Sequence, residues 1–501
     1  MKKASYLLLF ISWPLFAIYA QQSPNKGAYT LSFKLHLTGV PSPDSVALAW
    51  LLFPSPETRP VKMNGPNSDG YYNMEISFPD SARGKTLLYR YRSGNQFDIR
   101  RNFKFDKNGP QSLVDRWGYL DGMAGKVKPA QPIVVFQANT APETSELAKP
   151  FVGITNAGKP VEHLFPIKRT GASTKPIKKA VTAFLDALSP AQRSKCTFPI
   201  ESNEWRRWHN IEFYQRTGIG LEELNAQQKE LAFGILKESL STKGLEKSRS
   251  IMKMEAHLAT LRPDNKLLGG EKYWFTFMGT PSAKKPWGWQ IDGHHLVINY
   301  FVLESQIVMT PTFMGSEPTY AESGINKGLR TFEAEESRGL DFYQSLNAEQ
   351  KAKARLWDKK EMDFNRTEAF RDNEIIPFTG ISAQELTAAQ QEGLLGLIAE
   401  YVEDMRNEHA NIKMLEVLSH LEETYFTWVQ GEKMEDPFYY RIHSPVILIE
   451  FDHQTPVAIW DRSKPRPGPV KTHIHTVVRT PNGNDYGKDL LREHLEARHR
   501  E

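Results

Sequence analysis

Phe438-Tyr439-Tyr440-Arg441-Ile442-His443, then Val446-Ile447-Leu448-Ile449-Glu450-Phe451-Asp452 and, past a proline-rich loop, His473-Ile474-His475-Thr476-Val477-Val478-Arg479 form the stretch on which the reading of this chain turns. Successive side chains of an extended strand point to opposite faces, so His473 and His475 share one face. By the same rule Val446, Leu448, Glu450 and Asp452 share a face, with the two acids at its end. An apolar run that finishes in two carboxylates and is followed by His-x-His has the composition of a site more than that of a core.

Working outward, the 501-residue length calls for two or three domains. Hydrophobic residues at 40 % and charged residues at 24 % are an ordinary globular balance. A net charge of +4 with no long Lys/Arg block gives no reason to expect nucleic acid or an anionic membrane surface. Lys2 and Lys3 followed by the mostly apolar residues 6–18 read as a secretion signal cleaved after Ala20. That run is too short to span a bilayer and contains Pro14, so no integral span is expected after cleavage; an uncleaved anchor is the alternative. Cys196 is the single cysteine, which rules out an internal disulfide and suits a secreted or periplasmic protein stabilised by its cores.

Residues 27–120 are expected to form a β-sandwich, immunoglobulin-like or carbohydrate-module-like. Leu31, Phe33, Leu35 and Leu37 alternate with Ser32, Lys34, His36 and Thr38, and further strands are expected over 46–53, 71–78, 86–92 and 98–105. Tyr71, Tyr72, Tyr89 and Tyr91 are read as packing residues or as a sugar platform. Residues 121–177, punctuated by proline, read as a linker, and residues 178–501 as a larger α+β domain. The expected class is therefore α+β multidomain.

From Pro176 onward a short phrase recurs: Leu188-Ser189-Pro190-Ala191-Gln192, Leu224-Asn225-Ala226-Gln227-Gln228, Leu346-Asn347-Ala348-Glu349-Gln350 and Leu386-Thr387-Ala388-Ala389-Gln390. Each predicts a helix start, with Ser189, Asn225, Asn347 and Thr387 as N-caps and the Gln three positions on returning a bond to the cap. Two such starts precede the strand-like residues 287–301 and two precede residues 439–479. Internal duplication explains this order, and so does the recurrence of good caps in any helical domain.

The earlier counterpart of the opening stretch is Trp287-Gly288-Trp289-Gln290-Ile291-Asp292-Gly293-His294-His295. If extended, His294 and His295 point to opposite faces, so at most one readily joins a site. Three or four converging His and carboxylate groups suit Zn, Fe or Cu, with His294, His295, His473 and His475 as candidate ligands. Glu450, Asp452, Arg441 and Arg479 are the candidate catalytic groups, and Trp289, Tyr440 and Asp485 candidate substrate contacts. Metal-free acid–base work by a His with Glu450 or Asp452, and a purely structural hydrogen-bonded network, remain alternatives. No Gly-x-Ser-x-Gly elbow, His-Glu-x-x-His helix or phosphate-binding glycine loop is present.

Gly-Trp-x-x-x-Gly-His-His-Leu-x-x-Asn, Tyr-Tyr-Arg-Ile, Ile-Glu-Phe-Asp, His-Ile-His-Thr-Val-x-Arg and Asn-Asp-Tyr-Gly-Lys-Asp-Leu-Leu follow one another in that order. Over residues 178–500 the chain thereby resembles the bacterial and fungal family filed as domain of unknown function 3500. The resemblance implies no particular mechanism, and at Asp292 and Thr472 the chain departs from the family's usual Glu and Asn. The residues point to a secreted metal-dependent hydrolase or oxidase acting on a small or polymeric extracytoplasmic substrate. The rival is a non-enzymatic binding protein whose N-terminal domain recognises glycan.

Overall fold

The computed structural model describes residues 29–36, 46–52, 61–65, 71–78, 86–93, 96–97, 101–104, 111–116 and 143–498, the last span without 358, 431, 432 and 434. The chain divides into two compact units, Met1–Phe136 and Gln137–Glu501. The expected signal segment lies outside the described residues.

In the first unit, strands occupy Tyr29–His36, Val46–Leu52, Tyr71–Phe78, Thr86–Ser93 and Arg101–Lys104. Leu31, Phe33 and Leu35 are buried, as the period-two pattern requires. Tyr29–His36 pairs antiparallel with Tyr71–Phe78 and parallel with Gln111–Arg116; Val46–Leu52 pairs with Thr86–Ser93 in a second sheet. Tyr72 and Tyr91 are buried and pack inward.

The second unit is α+β and is organised on one sheet. The ten strands along its main path are β1 (Ile219–Gly220), β2 (Tyr273–Met278), β3 (Trp287–Gly293), β4 (Leu296–Leu303), β5 (Thr312–Ser316), β6 (Arg355–Trp357), β7 (Tyr425–Gln430), β8 (Phe438–His443), β9 (Leu448–His453) and β10 (Ile474–Arg479), and three short strands, Thr197–Phe198, Gln306–Val308 and Ile381–Ser382, pair with β2, β4 and β7 off that path. Across the sheet they run β1-β2-β3-β4-β5-β10-β9-β8-β7-β6, and the two halves match about the β5–β10 pair once the short strands are included: β1 and Ile381–Ser382 lie antiparallel to β2 and β7, and Thr197–Phe198 and β6 lie parallel to them. After a short helix at Glu143–Leu147, the helices are α1 (Lys175–Asp186), α2 (Pro190–Cys196), α3 (Ala226–Ser239), α4 (Thr242–Leu261), α5 (Glu333–Ser345), α6 (Ala348–Ala354), α7 (Ala388–Val402), α8 (Asn407–Ser419) and α9 (Lys488–Arg498). The first four precede β2–β5 and the next four precede β7–β10.

The repetition extends to single hydrogen bonds. All four expected capping boxes form, at Ser189/Gln192, Asn225/Gln228, Asn347/Gln350 and Thr387/Gln390. Gln192 Nε2 donates to the Glu223 carbonyl and Gln228 Nε2 to that of Ala187; Gln350 and Gln390 repeat this on Glu385 and Ser345. Within each half the two glutamines also bond each other, at 3.1 and 2.9 Å. The ion pairs Lys195–Glu223 and Lys353–Glu385 match as well. Caps recurring by chance would not share tertiary partners, so the halves are a structural duplication.

Trp289, Ile291, Ile298, Tyr300, Trp428, Tyr440, Ile449 and Phe451 face the helices in one continuous apolar cluster. The other face carries Val297, Phe301, Phe313 and Val477, packed with Trp205, Trp208, Tyr486 and Leu490 of α9. The Trp205–Trp208 segment thus covers this face of the sheet. Part of the stretch expected to be a linker belongs to this unit. Ile154 and Phe165 are buried, Ile154 O accepts the Asn482 N–H at 2.7 Å, and Thr155 bridges to Ile375. Among the described residues, no helix is long and apolar enough to cross a membrane.

Candidate metal centre

His294 and His295 are not extended. The register pairs Gly293 with Leu296, which leaves the two histidines as the whole loop of the β3–β4 hairpin. His295 has φ 61°, a left-handed value that such loops usually give to Gly or Asn. Gly293 is required beside them, because a Cβ there would lie 2.2 Å from the Tyr273 ring. The turn overturns the opposite-face expectation: the two imidazoles stack with centroids 3.8 Å apart. Both reach the buried Glu255 of α4, with His294 Nδ1 at 2.6 Å from Oε1 and His295 Nδ1 at 3.4 Å from Oε2.

His473 and His475 meet this pair from β10. Their Nε2 atoms are 3.0 Å apart. His473 Nδ1 lies 2.9 Å from the Thr455 carbonyl oxygen and 3.7 Å from Glu317 Oε2, and His475 Nδ1 lies 2.8 Å from Glu368 Oε1. The His295 ring sits 5.7 Å from that of His473 and 5.5 Å from that of His475. One ligand atom from each of His295, His473 and His475 falls within 4.8 Å of the others. Gly315, paired with His475 across β5–β10, makes room for this: a Cβ there would lie 3.0 Å from Cδ2 of both His295 and His475.

The electrostatics favour neutral imidazoles at His295, His473 and His475. Burial, with another histidine alongside, holds His295 and His475 well below the ordinary value, and burial also lowers His473. At His294 burial acts downward, but the Glu255 carboxylate outweighs it and leaves the group raised. For Glu255, burial acts upward, and the two histidines bring it down to about 2.

Glu450 and Asp452 do not join this cluster. They hold the segment over residues 360–368 that carries Glu368. Asp452 accepts the backbone N–H of Phe364 at 2.6 Å and that of Asn365 at 3.2 Å, and pairs with Lys360 at 2.9 Å. Glu450 accepts from the N–H groups of Arg366 and Thr367, the Thr367 hydroxyl and the Tyr439 hydroxyl. Arg479 donates to the carbonyls of Thr367 at 2.7 Å and Glu368 at 3.0 Å, and pairs with Asp372 and Asp485. Arg441 reaches the Thr379 hydroxyl at 2.6 Å.

Trp289 is fully buried against Tyr300 on the helical face, and Tyr440 bonds the Glu335 carbonyl and the Tyr401 hydroxyl there. Asp485 accepts the Thr480 N–H at 2.7 Å beneath Arg479. None of these three contacts the histidines. A cavity of ≈ 90 Å³ lined by Met309, Met314, Thr476 and Val478 opens on the helical face too, since Thr476 and Val478 alternate with His475 and Val477 along β10. Sequence reading missed Glu255, Glu317, Glu368 and the Thr455 carbonyl, which lie on a helix and in loops far from the histidines. No spacing rule links them.

No curated protein matches this chain. The family described as protein of unknown function (DUF3500) matches residues 170–488, a span holding all four histidines, Glu255 and Glu368. That span is more than half of the chain, which therefore belongs to this family.

Proposed function

We propose that His295, His473 and His475 hold one transition-metal ion, Zn, Fe or Cu, and that the protein is a metal-dependent hydrolase or oxidase. One observation carries the reading. His473 and His475 turn Nδ1 to a carbonyl and, with Glu368 ionised, to a carboxylate; each Nδ1 then carries the proton and each Nε2 is a bare lone pair. Two lone pairs facing each other at 3.0 Å repel unless a cation lies between them. Two nitrogens on one ion at ~2.0–2.1 Å bond length lie roughly 2.9–3.4 Å apart at common coordination angles. Carboxylates and carbonyls behind the imidazoles are the usual support of metal-ligating histidines.

Three protein ligands leave a further position for water or substrate, and an ion there supplies Lewis-acid polarisation or an activated water. The protein's own groups do the rest. Glu255, Glu368 and the Thr455 carbonyl orient the rings. His294, whose side chain is 14 % exposed, stands at the mouth with its Nδ1 on Glu255, where it can bind an incoming polar group.

The test is elemental analysis of untagged protein purified without chelator, wild type beside His473→Ala/His475→Ala. Near-stoichiometric metal in the wild type and none in the folded double variant is expected. A wild type that takes up no Zn, Fe or Cu even after reconstitution overturns the reading.

Export to the periplasm or exterior is part of the proposal, supported by the basic start and apolar run over residues 2–18 and by the single cysteine. The two N-terminal sheets are read as the layers of a sandwich, supported by the inward Leu31, Phe33 and Leu35.

A further inference from the structure

Exposed apolar side chains lie on segments tied by hydrogen bonds to the neighbourhood of the histidine cluster, and together form an apolar lip. Val457 and Ile459 stand beside His473, because Glu317 accepts the backbone N–H groups of Val457, Ala458 and Ile459 at 2.8–3.1 Å and lies 3.7 Å from His473 Nδ1. Arg262 joins this loop to the end of α4 by donating to the Ala458 carbonyl at 2.8 Å. Asn265 joins the next segment, donating to Glu212 Oε1 at 3.2 Å beside Phe213. From there the chain runs back to His209, whose ring lies 5.8 Å from Phe370, two residues past Glu368. Four segments from distant parts of the sequence are thus linked to one another beside the histidine cluster, whose His294 and Glu368 side chains reach solvent.

Large apolar side chains on these segments face water. Phe213 is 65 % exposed, Val457 53 % and Leu267 51 %, with Leu261 and Ile459 alongside. Single exposed apolar residues are ordinary, but several gathered at the mouth of a polar site mark a surface that takes up apolar matter. The backbone of Val457–Ile459 is held by Glu317 and Arg262, and the Leu267 N–H donates to Asn265 Oδ1 at 3.0 Å. The lip is therefore a formed surface and not a fraying loop.

We propose that the substrate of the metal centre is amphipathic: an alkyl or aromatic body lies across Phe213, Leu267, Val457 and Ile459 while its polar reacting group enters beside His294. This rests on the reading of His295, His473 and His475 as a metal site. It disfavours a bare polar polymer such as an unmodified glycan chain, which would leave these side chains in water.

Calorimetric titration of the full, Zn-loaded chain tests it with two probes that share a metal-binding head, acetohydroxamate and octanohydroxamate. The longer probe is expected to bind at least about tenfold tighter, the order set by burying a few methylenes. In Phe213→Ser/Ile459→Ser that gain should fall below about threefold, whereas acetohydroxamate, having no body to bury, should bind as before. Equal affinity of the two probes for the wild type overturns the amphipathic substrate, and so does a gain that survives the double substitution. A wild-type dimer in sedimentation that the double variant disperses overturns it too, since the lip is then a contact between copies. Failure of both probes to bind, or binding indifferent to removal of the metal, overturns the metal centre itself and this inference with it.

Discussion

Glu450 Oε2 accepts both the backbone N–H of Thr367, at 3.0 Å, and the Thr367 hydroxyl, at 2.6 Å. The next residue, Glu368, is the one whose carboxylate meets His475 Nδ1. A fully buried acid on β9 therefore sets the position of a histidine on β10 through a loop that packs over both. The carboxyl group that the sequence marks out acts at one remove from the cluster.

Replacing Glu450 by Gln turns one acceptor oxygen into a donor facing N–H groups. The expected loss of stability is about 2–4 kcal/mol, the cost of leaving buried donors unpaired. In the molecules that remain folded, metal affinity should fall about 10–100-fold, as when a group supporting a ligand is lost. Denaturant unfolding and a competitive metal titration measure the two separately. A variant as stable as the wild type would show that the loop is anchored elsewhere.

Gly315→Ala should strike the centre more selectively. The added methyl group would lie 3.0 Å from Cδ2 of both His295 and His475 and 2.9 Å from the Ile474 carbonyl oxygen. Overpacking of this kind costs about 1–3 kcal/mol. The rings must separate to relieve it, so metal retention should drop by more than tenfold in a chain that still melts cooperatively. Unchanged metal content would show that the histidines do not share an ion.

Acid should destabilise the metal-free protein, and His443 should account for part of it. This imidazole is buried with neither ring nitrogen bonded, and burial, with Arg441 and Arg366 nearby, holds it well below its ordinary value. A histidine lowered in the folded chain binds its proton more readily when unfolded. Its contribution is complete above about pH 6.5 and is lost as pH falls toward the folded value. His209, brought down to about 4 chiefly by burial, adds to the same limb. His443→Leu should therefore match the wild type near pH 8 and exceed it at pH 5, read as urea midpoints of metal-free protein. Parallel curves at both pH values would remove His443 from the account.

A chain starting at Gln137 should melt cooperatively, and one starting at Gly171 should not. The longer chain keeps the whole second unit, with Ile154 and Phe165 in place. Losing two buried side chains of this kind removes roughly 3–6 kcal/mol of burial, a large part of a typical domain's stability. It also removes the carbonyls of Glu146 and Lys149, which accept from the buried Arg206. Calorimetry of the two chains decides, and equal melting temperatures would show that residues 143–170 contribute nothing.

What the sequence determined by itself was local. The alternation in Leu31, Phe33 and Leu35, the four capping boxes and the shared face of His473 and His475 each depend on residues a few positions apart, where backbone geometry alone sets the relation. Gly293 before His294 and His295 marked an unusual backbone, but only the Gly293–Leu296 register made them a two-residue turn and brought both rings to one side. The partners of the histidines were decided by tertiary structure alone. Glu255 arrives on a helix, Glu368 on a loop pinned by Glu450, and the Thr455 carbonyl on another loop; each is positioned by a hydrogen bond or packing contact with a distant strand. The duplication stood between the two. Its caps were readable in the chain, but the shared glutamine contacts that distinguish repetition from coincidence exist only once each pair of helix starts is packed together.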